Sequence, residues 1–569
     1  MDATTEGVLD GIGVGRRGVV GPVRQVRGGP ELPADEPAPA DPEAAVAEIE
    51  AALAAVQEDL TARSAAAEGT TLGEVLGAAA LMAGDPALSA RAAELVRAGT
   101  GRAHAVHDAV EEFATTFESI GGYMAERVTD LRSVGDRVVA RLTGQPEPGL
   151  DLQEPAVVVA RDLSPADTSA LDLDLVLGIV TEEGGPTSHT AIIAGQLGLP
   201  CVVRAAGATG LADGEIVAVD AAHGRVVLDP DDELRGELDR RSAALDALEA
   251  DREPGATADG HAVQLLANIG TVADAERAAA TAAEGVGLFR TEVLFLDATE
   301  APAVQAQAET YAAVLRAFAG RKVVVRTLDA GADKPLAFAN QADEDNPALG
   351  VRGYRLVRTM PEIVRDQLRA LASARGQAGA DAAELWVMAP MISTAGEAAE
   401  FVATAREAGL TDGVGLGVMV EVPAVALRAD GVLADVDFAS LGTNDLAQYT
   451  MASDRLLGGL ADLLDRWQPA VLELVARTAA AGVSARKPVG VCGESAGDPL
   501  MALALTGMGV TSLSMSAGAL PAVRHALRSH TLAECEAMAQ AALAAADAAG
   551  ARDAVVHLLR PEAREVLAV

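Results

Sequence analysis

From about residue 255 onward the chain repeats one unit, a short apolar run followed by a stretch with helical spacing. The runs fall at 263–267, 285–289, 323–327, 385–389, 415–420, 436–441, 489–492 and 511–515. Strands separated by helices pair in parallel, because each return crosses over through a helix, and eight such units predict a closed (β/α)8 barrel. In such barrels the chemistry sits at the carboxyl ends of the strands. Here the runs finish at Asn268, Arg290, Arg326, Met391 with Ser393, Glu421, Asn444 with Asp445, Cys492 with Glu494, and Ser514 with Ser516. Taken singly, a terminal Arg or Glu is an ordinary solvated side chain and a strand Cys an ordinary core residue. Their recurrence at one rim predicts a polar mouth.

The residue types in that mouth narrow its chemistry. Arg290 and Arg326 can each grip phosphate or carboxylate through two N–H groups, and Arg455, just past Asn444 and Asp445, adds a third fork. Their ligand is therefore expected to be a compact polyanion. Glu421 and Asp445 supply two hard oxygen ligands, the number Mg²⁺ commonly takes from protein while substrate oxygens and water complete its octahedron. Lys334 and Arg352, in loops nearby in sequence, are expected to balance charge on a transferring group. No G-x-x-x-x-G-K-[ST] loop occurs, and Gly413-Val414-Gly415-Leu416-Gly417 leads into a strand, which disfavours a nucleotide donor.

The first 254 residues read differently. Gly7–Leu9 and Gly18–Val23 suggest short strands, and the G-x-G-x-x-G spacing of Gly13, Gly15 and Gly18 leads into β-branched residues, so it fails the strand–turn–helix test for a dinucleotide site. Between 28 and 42 the composition turns to Pro, Asp, Glu and Ala, and Pro30, Pro33, Pro37, Pro39 and Pro42 predict a linker without regular elements. Residues 43–143 carry helical spacing such as Ala45, Ile49, Leu53 and Val56. Short apolar runs return between 155 and 230, and Leu234, Leu238, Leu245 and Leu248 predict a connecting helix over 231–252. A chain of 569 residues divided in this way is α/β and multidomain.

Lys plus Arg at 44 against Asp plus Glu at 83 gives a net charge of −39, which repels nucleic acid and anionic lipid. With 50% hydrophobic and 22% charged residues the acidity is not that of a disordered chain. No apolar leader follows Met1 and no run reaches 18 apolar residues, so a cytoplasmic protein is expected. The three cysteines, Cys201, Cys492 and Cys535, show no metal or disulfide spacing.

Within the 155–230 region stands Gly184-Gly185-Pro186-Thr187-Ser188-His189-Thr190, followed by an apolar helical run. It presents a histidine behind a glycine turn and beside hydroxyls. Neutral imidazole is a nitrogen nucleophile, and a helix start with free N–H groups receives an anion well, so His189 is either a phosphoryl acceptor or a helix-capping residue.

Six segments together resemble one family. They are GGPTSHT at 184–190, EGVGLFRTE at 284–292, VRTLD at 325–329, GVMVE at 417–421, LGTNDLAQY at 441–449 and VCGESAGD at 491–498. The chain resembles Enzyme I of the bacterial sugar phosphotransferase system, the phosphoenolpyruvate-protein phosphotransferases. The resemblance implies that phosphoenolpyruvate binds in the barrel with Mg²⁺, phosphorylates His189 and leaves as pyruvate. The phosphoryl group would then pass to a histidine of the phosphocarrier protein HPr. It implies a phosphohistidine swivel domain at 1–27 and 144–230, a helical HPr-binding domain at 28–143, a linker helix at 231–254, and a phosphoenolpyruvate-binding barrel at 255–569 that also forms a homodimer. Cys492, at the rim, is the candidate donor of the proton that turns the enolate into pyruvate. Thr168 is a candidate hydroxyl orienting the imidazole. His189 would have to travel between barrel and HPr, with 231–252, 28–42 and 144–155 as candidate hinges. Gly195 stands where relatives usually carry Arg and Pro186 where some do, so the stability of the phosphohistidine is expected to differ. Two other readings remain open. A phosphoenolpyruvate synthase or pyruvate phosphate dikinase would need a nucleotide domain beyond the helical N-terminal part, and a phosphorylation-dependent regulatory protein would not need the complete rim.

Overall fold

The computed structural model describes the chain apart from residues 1–6, 27–28, 67–70, 121–126, 146–151, 164–174, 186–187, 189, 192–193, 195–197, 296–297, 299, 332–335, 337, 340–343, 455–457 and 568–569. His189, Thr168, Pro186, Gly195, Lys334 and Arg455 therefore lie outside the described residues. The chain divides into two compact units, Met1–Ala244 and Leu245–Leu567.

The first unit holds an eight-stranded sheet: β1 Val8–Asp10, β2 Ile12–Val14, β3 Gly18–Gln25, β4 Ala156–Ala160, β5 Val176–Thr181, β6 Cys201–Val203, β7 Ile216–Asp220 and β8 Arg225–Leu228, in the order β1-β8-β7-β3-β4-β5-β6-β2. The strands from β3 through β6 run parallel, and both edges are antiparallel. Alternate residues of β4 serve opposite faces. Ala156, Val158 and Ala160 pack with Ile179 and Cys201, while Val157 and Val159 pack with Val23, Val217 and Val226. A sheet buried on both faces reads as continuous apolar sequence, which is why β4 and β5 are visible there.

β2 is not among the strands expected above, and β7 coincides with none of the apolar runs of the 155–230 region, which fall at 156–159, 175–180, 201–203 and 226–228. β2 is short and glycine-centred, and Gly13 sits in it paired with Val202. A Cβ at Gly13 would lie 1.7 Å from the Ala221 carbonyl oxygen. The glycine spacing thus serves two backbones crossing at close range, and no dinucleotide loop is formed.

Between β3 and β4 the chain inserts helices Pro42–Ala66, Thr71–Ala83, Pro86–Arg97, Arg102–Ile120 and Val128–Thr143. The four residues whose spacing predicts the first of these, Ala45, Ile49, Leu53 and Val56, are all buried in its core. Pro42 departs from the expectation that it breaks structure, because it opens the first helix. At that position the missing N–H has no intrahelical partner to lose, and the fixed φ suits a helix start.

A helix at Asp232–Ala250 follows β8, and its first half is fastened to the sheet. Arg241 Nη1 donates to Asp220 Oδ1 at 2.7 Å, and Ser242 Oγ donates to the Gly18 carbonyl at 3.0 Å. Asp220 is fully buried at the end of β7 and also holds His223 and Arg225. Burial works to raise its pKa, but the contacts with Arg241 and His223 outweigh it and bring the carboxyl below its usual range. Such a group stabilises the fold above its unfolded pKa, and the contribution is lost as pH falls through the depressed folded value. Asp220→Ala would remove the buried partner of Arg241 and leave that cation only its pair with the half-exposed Glu237, at 2.8 Å, a loss of about 3 kcal/mol. Calorimetry of the full chain at neutral pH should show the lost stability in the unfolding of the first unit, and a change under about 1 kcal/mol would contradict this account. The other end of the helix region is held within the second unit, where the Asp251 carbonyl accepts from Arg524 at 3.1 Å and its carboxylate from Arg528 at 2.8 Å.

The second unit is a closed barrel of eight parallel strands: β9 Gln264–Ile269, β10 Gly285–Arg290, β11 Lys322–Arg326, β12 Glu384–Ala389, β13 Gly415–Val420, β14 Phe438–Leu441, β15 Val489–Val491 and β16 Ser512–Met515. Each coincides with one of the eight apolar runs. The glycines of the 413–417 segment serve packing, since a Cβ at Gly417 would meet the Phe438 ring at 2.3 Å. No helix among the described residues is long and apolar enough to cross a membrane.

Candidate active site

The parallel strands deliver their carboxyl ends to one rim. Arg290 closes β10 and Arg326 closes β11, Glu421 follows β13, Asn444 and Asp445 begin the helix Thr443–Met451 after β14, and Cys492 follows β15. A cavity of about 680 Å³ opens there, with Asn268, Arg290, Arg326, Asn444, Asp445 and Cys492 in its wall. Asn268 is held by Ser514 Oγ, which donates to its Oδ1 at 2.6 Å. Asn444 and Glu494 fix each other, with Asn444 Nδ2 donating to Glu494 Oε1 at 3.2 Å and the Glu494 N–H returning to Asn444 Oδ1 at 3.1 Å.

Arg326 is buried and engaged by two acids, Glu292 and Asp329, the latter at 3.0 Å. Burial works against its charge, but Glu292, Asp329 and Glu421 raise its pKa further, so it remains a cation. Arg290, by contrast, is exposed and lines the cavity with no acidic partner among the described residues.

Glu421 lies behind the cavity wall and is fully buried. Its Oε1 accepts the Met391 N–H, and its Oε2 has no hydrogen-bond partner among the described residues. Met391 takes the left-handed conformation, at φ +58°, which is unusual for a side chain of its size. Burial, then the charges of Asp445 and Asp329, push the Glu421 carboxyl up to about 7. A divalent cation between Glu421 and Asp445 would reverse that shift, and the unpartnered Oε2 is a fitting donor for one. Among the described residues no three His, Cys, Asp or Glu side chains form a ready cage. Two carboxylates are what Mg²⁺ takes when substrate supplies the remaining oxygens, so the residues present fit that ion.

Cys492 is buried at the cavity floor, with its Sγ 3.6 Å from the Leu441 carbonyl oxygen. Burial pushes the thiol up to about 11, with Ser440 and Arg326 pulling it back only in part. At neutral pH it holds its proton.

Three expectations differ from the geometry. Arg352 is buried and bound to Asp329 at 3.4 Å and Asp445 at 3.2 Å, so its charge steadies carboxylates and does not face the cavity. Met391 and Ser393 are absent from the cavity wall, Met391 serving through its backbone and Ser393 accepting from Arg355 at 2.9 Å. Conversely Glu292 and Arg466 line the cavity without having been singled out for a role. Glu292 had one available signal, its position two residues after Arg290 at a strand end.

Three descriptions of PEP-utilising enzymes match the chain: the N-terminal region over residues 10–127, the mobile domain over 152–224 and the PEP-binding domain over 246–532. A phosphoenolpyruvate-protein phosphotransferase of Streptomyces coelicolor is 49% identical over 98% of this chain and 100% of its own length. One of Haloferax volcanii is 42% identical over 81% of this chain and 82% of its own length. A multiphosphoryl transfer protein of Xanthomonas campestris is 40% identical over 86% of this chain and 59% of its own length. A barrel whose rim gathers arginines, paired carboxylates and a protonated thiol, in a chain matched along nearly its whole length, belongs to the PEP-utilising enzymes, in the family of phosphoenolpyruvate-protein phosphotransferases.

Proposed function

We propose that the chain transfers the phosphoryl group of phosphoenolpyruvate to its own His189 and from there to a histidine of HPr, the opening step of sugar uptake by a phosphotransferase system. The observation that carries this reading is the cavity itself, which brings Arg290, Arg326, Asp445 and Cys492 together in front of Glu421. Arg290 and Arg326 bind the substrate's anionic groups, and Asn444 and Asp445 orient it from the opposite wall. Arg455, outside the described residues, is assigned to the same anion site by sequence. Glu421 and Asp445 hold Mg²⁺, which when bound neutralises charge developing on the substrate's oxygens.

The balance of the step is simple. A lone pair of the His189 imidazole forms the new bond to phosphorus, and the bond from phosphorus to the enol oxygen breaks. The enolate left behind takes the Cys492 proton at its methylene carbon and becomes pyruvate. The thiolate regains a proton from water. A high thiol pKa suits a donor that must hold its proton until the enolate forms. Cys492→Ala should therefore slow pyruvate formation and abolish exchange of solvent hydrogen into the methyl group, while phosphoenolpyruvate binding stays close to normal. Protonation at the native rate, still on one face of the enolate, would assign the acid elsewhere.

We further assign HPr docking to the helical insertion and dimer formation to the barrel unit, both resting on the family resemblance, and expect the protein to work in the cytoplasm. Labelled phosphoenolpyruvate with Mg²⁺, added with and without HPr, tests the whole reading. Acid-labile label should appear on this chain alone and move to HPr when it is present. Absence of label on the chain would refute the phosphotransfer, and label that never leaves it would refute the acceptor.

A further inference from the structure

The arginines of the cavity are unequally free. Arg326 is shared between Glu292 and Asp329. Arg290 and Arg466 both line the cavity and are exposed, and neither has an ion pair or side-chain hydrogen bond among the described residues. Phosphoenolpyruvate brings a carboxylate and a phosphoryl group, and with Arg326 shared between two acids, Arg290 and Arg466 are exposed guanidiniums of the wall able to turn fully to it.

Arg466 is presented by a turn whose backbone is fixed on both sides. The Trp467 N–H donates to Asp465 Oδ1 at 2.8 Å, and the Gln468 N–H to the Asp465 carbonyl at 3.1 Å. Trp467, one of only two tryptophans, is buried in the barrel core, and Pro469 opens the next helix. The turn cannot shift without unseating an indole, so the backbone that carries Arg466 at the cavity wall is held in place.

We propose that Arg466 is a further substrate-binding residue, a guanidinium at the solvent end of the cavity that grips the phosphoryl oxygens of phosphoenolpyruvate. This rests on the function proposed above. The assignment to the phosphoryl end follows from access. The accepting imidazole belongs to the other unit of the chain and enters from solvent, so the phosphoryl group must face the open end where Arg466 stands. The buried end, near Cys492, is left to the enol carbon.

The test uses the full chain with Mg²⁺ and HPr. Arg466→Gln removes an exposed charge without disturbing the core, and should raise KM for phosphoenolpyruvate about five- to twentyfold with kcat changed less than about twofold. Arg466→Lys should recover part of the loss. Inorganic phosphate should lose affinity for the Arg466→Gln protein in parallel, whereas oxalate, which mimics the enolate and carboxylate but has no phosphoryl group, should inhibit it as it does the unsubstituted protein. A KM within twofold of the original overturns the proposal. Equal weakening of phosphate and oxalate overturns the phosphoryl assignment. Failure of the unsubstituted protein to consume phosphoenolpyruvate would overturn the function proposed above, and is read in a separate reaction.

Discussion

A His189→Ala protein given labelled phosphoenolpyruvate and Mg²⁺ should take up no acid-labile phosphoryl group, a loss of at least about a thousandfold, because the imidazole that would carry the phosphoryl group is gone. Two further readouts make the result specific. Binding of phosphoenolpyruvate should persist, since the binding groups are carried by the barrel unit and residue 189 by the other. Transfer to HPr should vanish together with the label. Full labelling of the variant would remove His189 from the mechanism.

The second large effect concerns Glu421. Glu421→Gln keeps the volume of a fully buried side chain and can still accept the Met391 N–H, but it removes a charge that burial and two neighbouring carboxylates disfavour. Activity should fall by about a hundredfold or more, because a metal-assisted charge stabilisation of several kcal/mol is lost. In chelator, the thermal midpoint of the variant should equal or exceed that of the unsubstituted protein, because an unfavourable buried charge is gone. The unsubstituted protein should itself stop in chelator and recover with Mg²⁺. A variant that keeps a tenth or more of its activity, or an unsubstituted protein indifferent to chelator, would dismiss the metal assignment.

These outcomes rest on residues of unequal legibility. The eight barrel strands stand out in the sequence because a parallel strand buried on all sides is a nearly unbroken apolar run, and the polar residue that ends each run marks the rim. Arg290, Arg326, Glu421, Asp445 and Cys492 are found by that rule alone. β2 is hidden because three residues around a glycine carry no pattern, and the helix-opening role of Pro42 because a proline marks a start as readily as a break. The engagement of Arg352 by Asp329 and Asp445 depends on separations of 23 and 93 residues closing in space, which no local spacing records. Arg466 escapes for a related reason: its turn follows no apolar run of the barrel, and only the folded structure places it in the cavity wall beside the buried Trp467.

The helix that joins the two units is held at Arg241 by the sheet and at Asp251 by Arg524 and Arg528. Ten residues separate these clamps, about 15 Å of rod if helical throughout. Between these two anchors the segment has less than three turns in which to twist or bend. Its length also sets a phase, since each residue added or removed would turn the Asp251 anchor about the helix axis by about 100° relative to Arg241 while moving it by only about 1.5 Å. Insertions and deletions in this segment are thereby constrained by angle far more tightly than by reach, whereas substitutions that keep it helical preserve both.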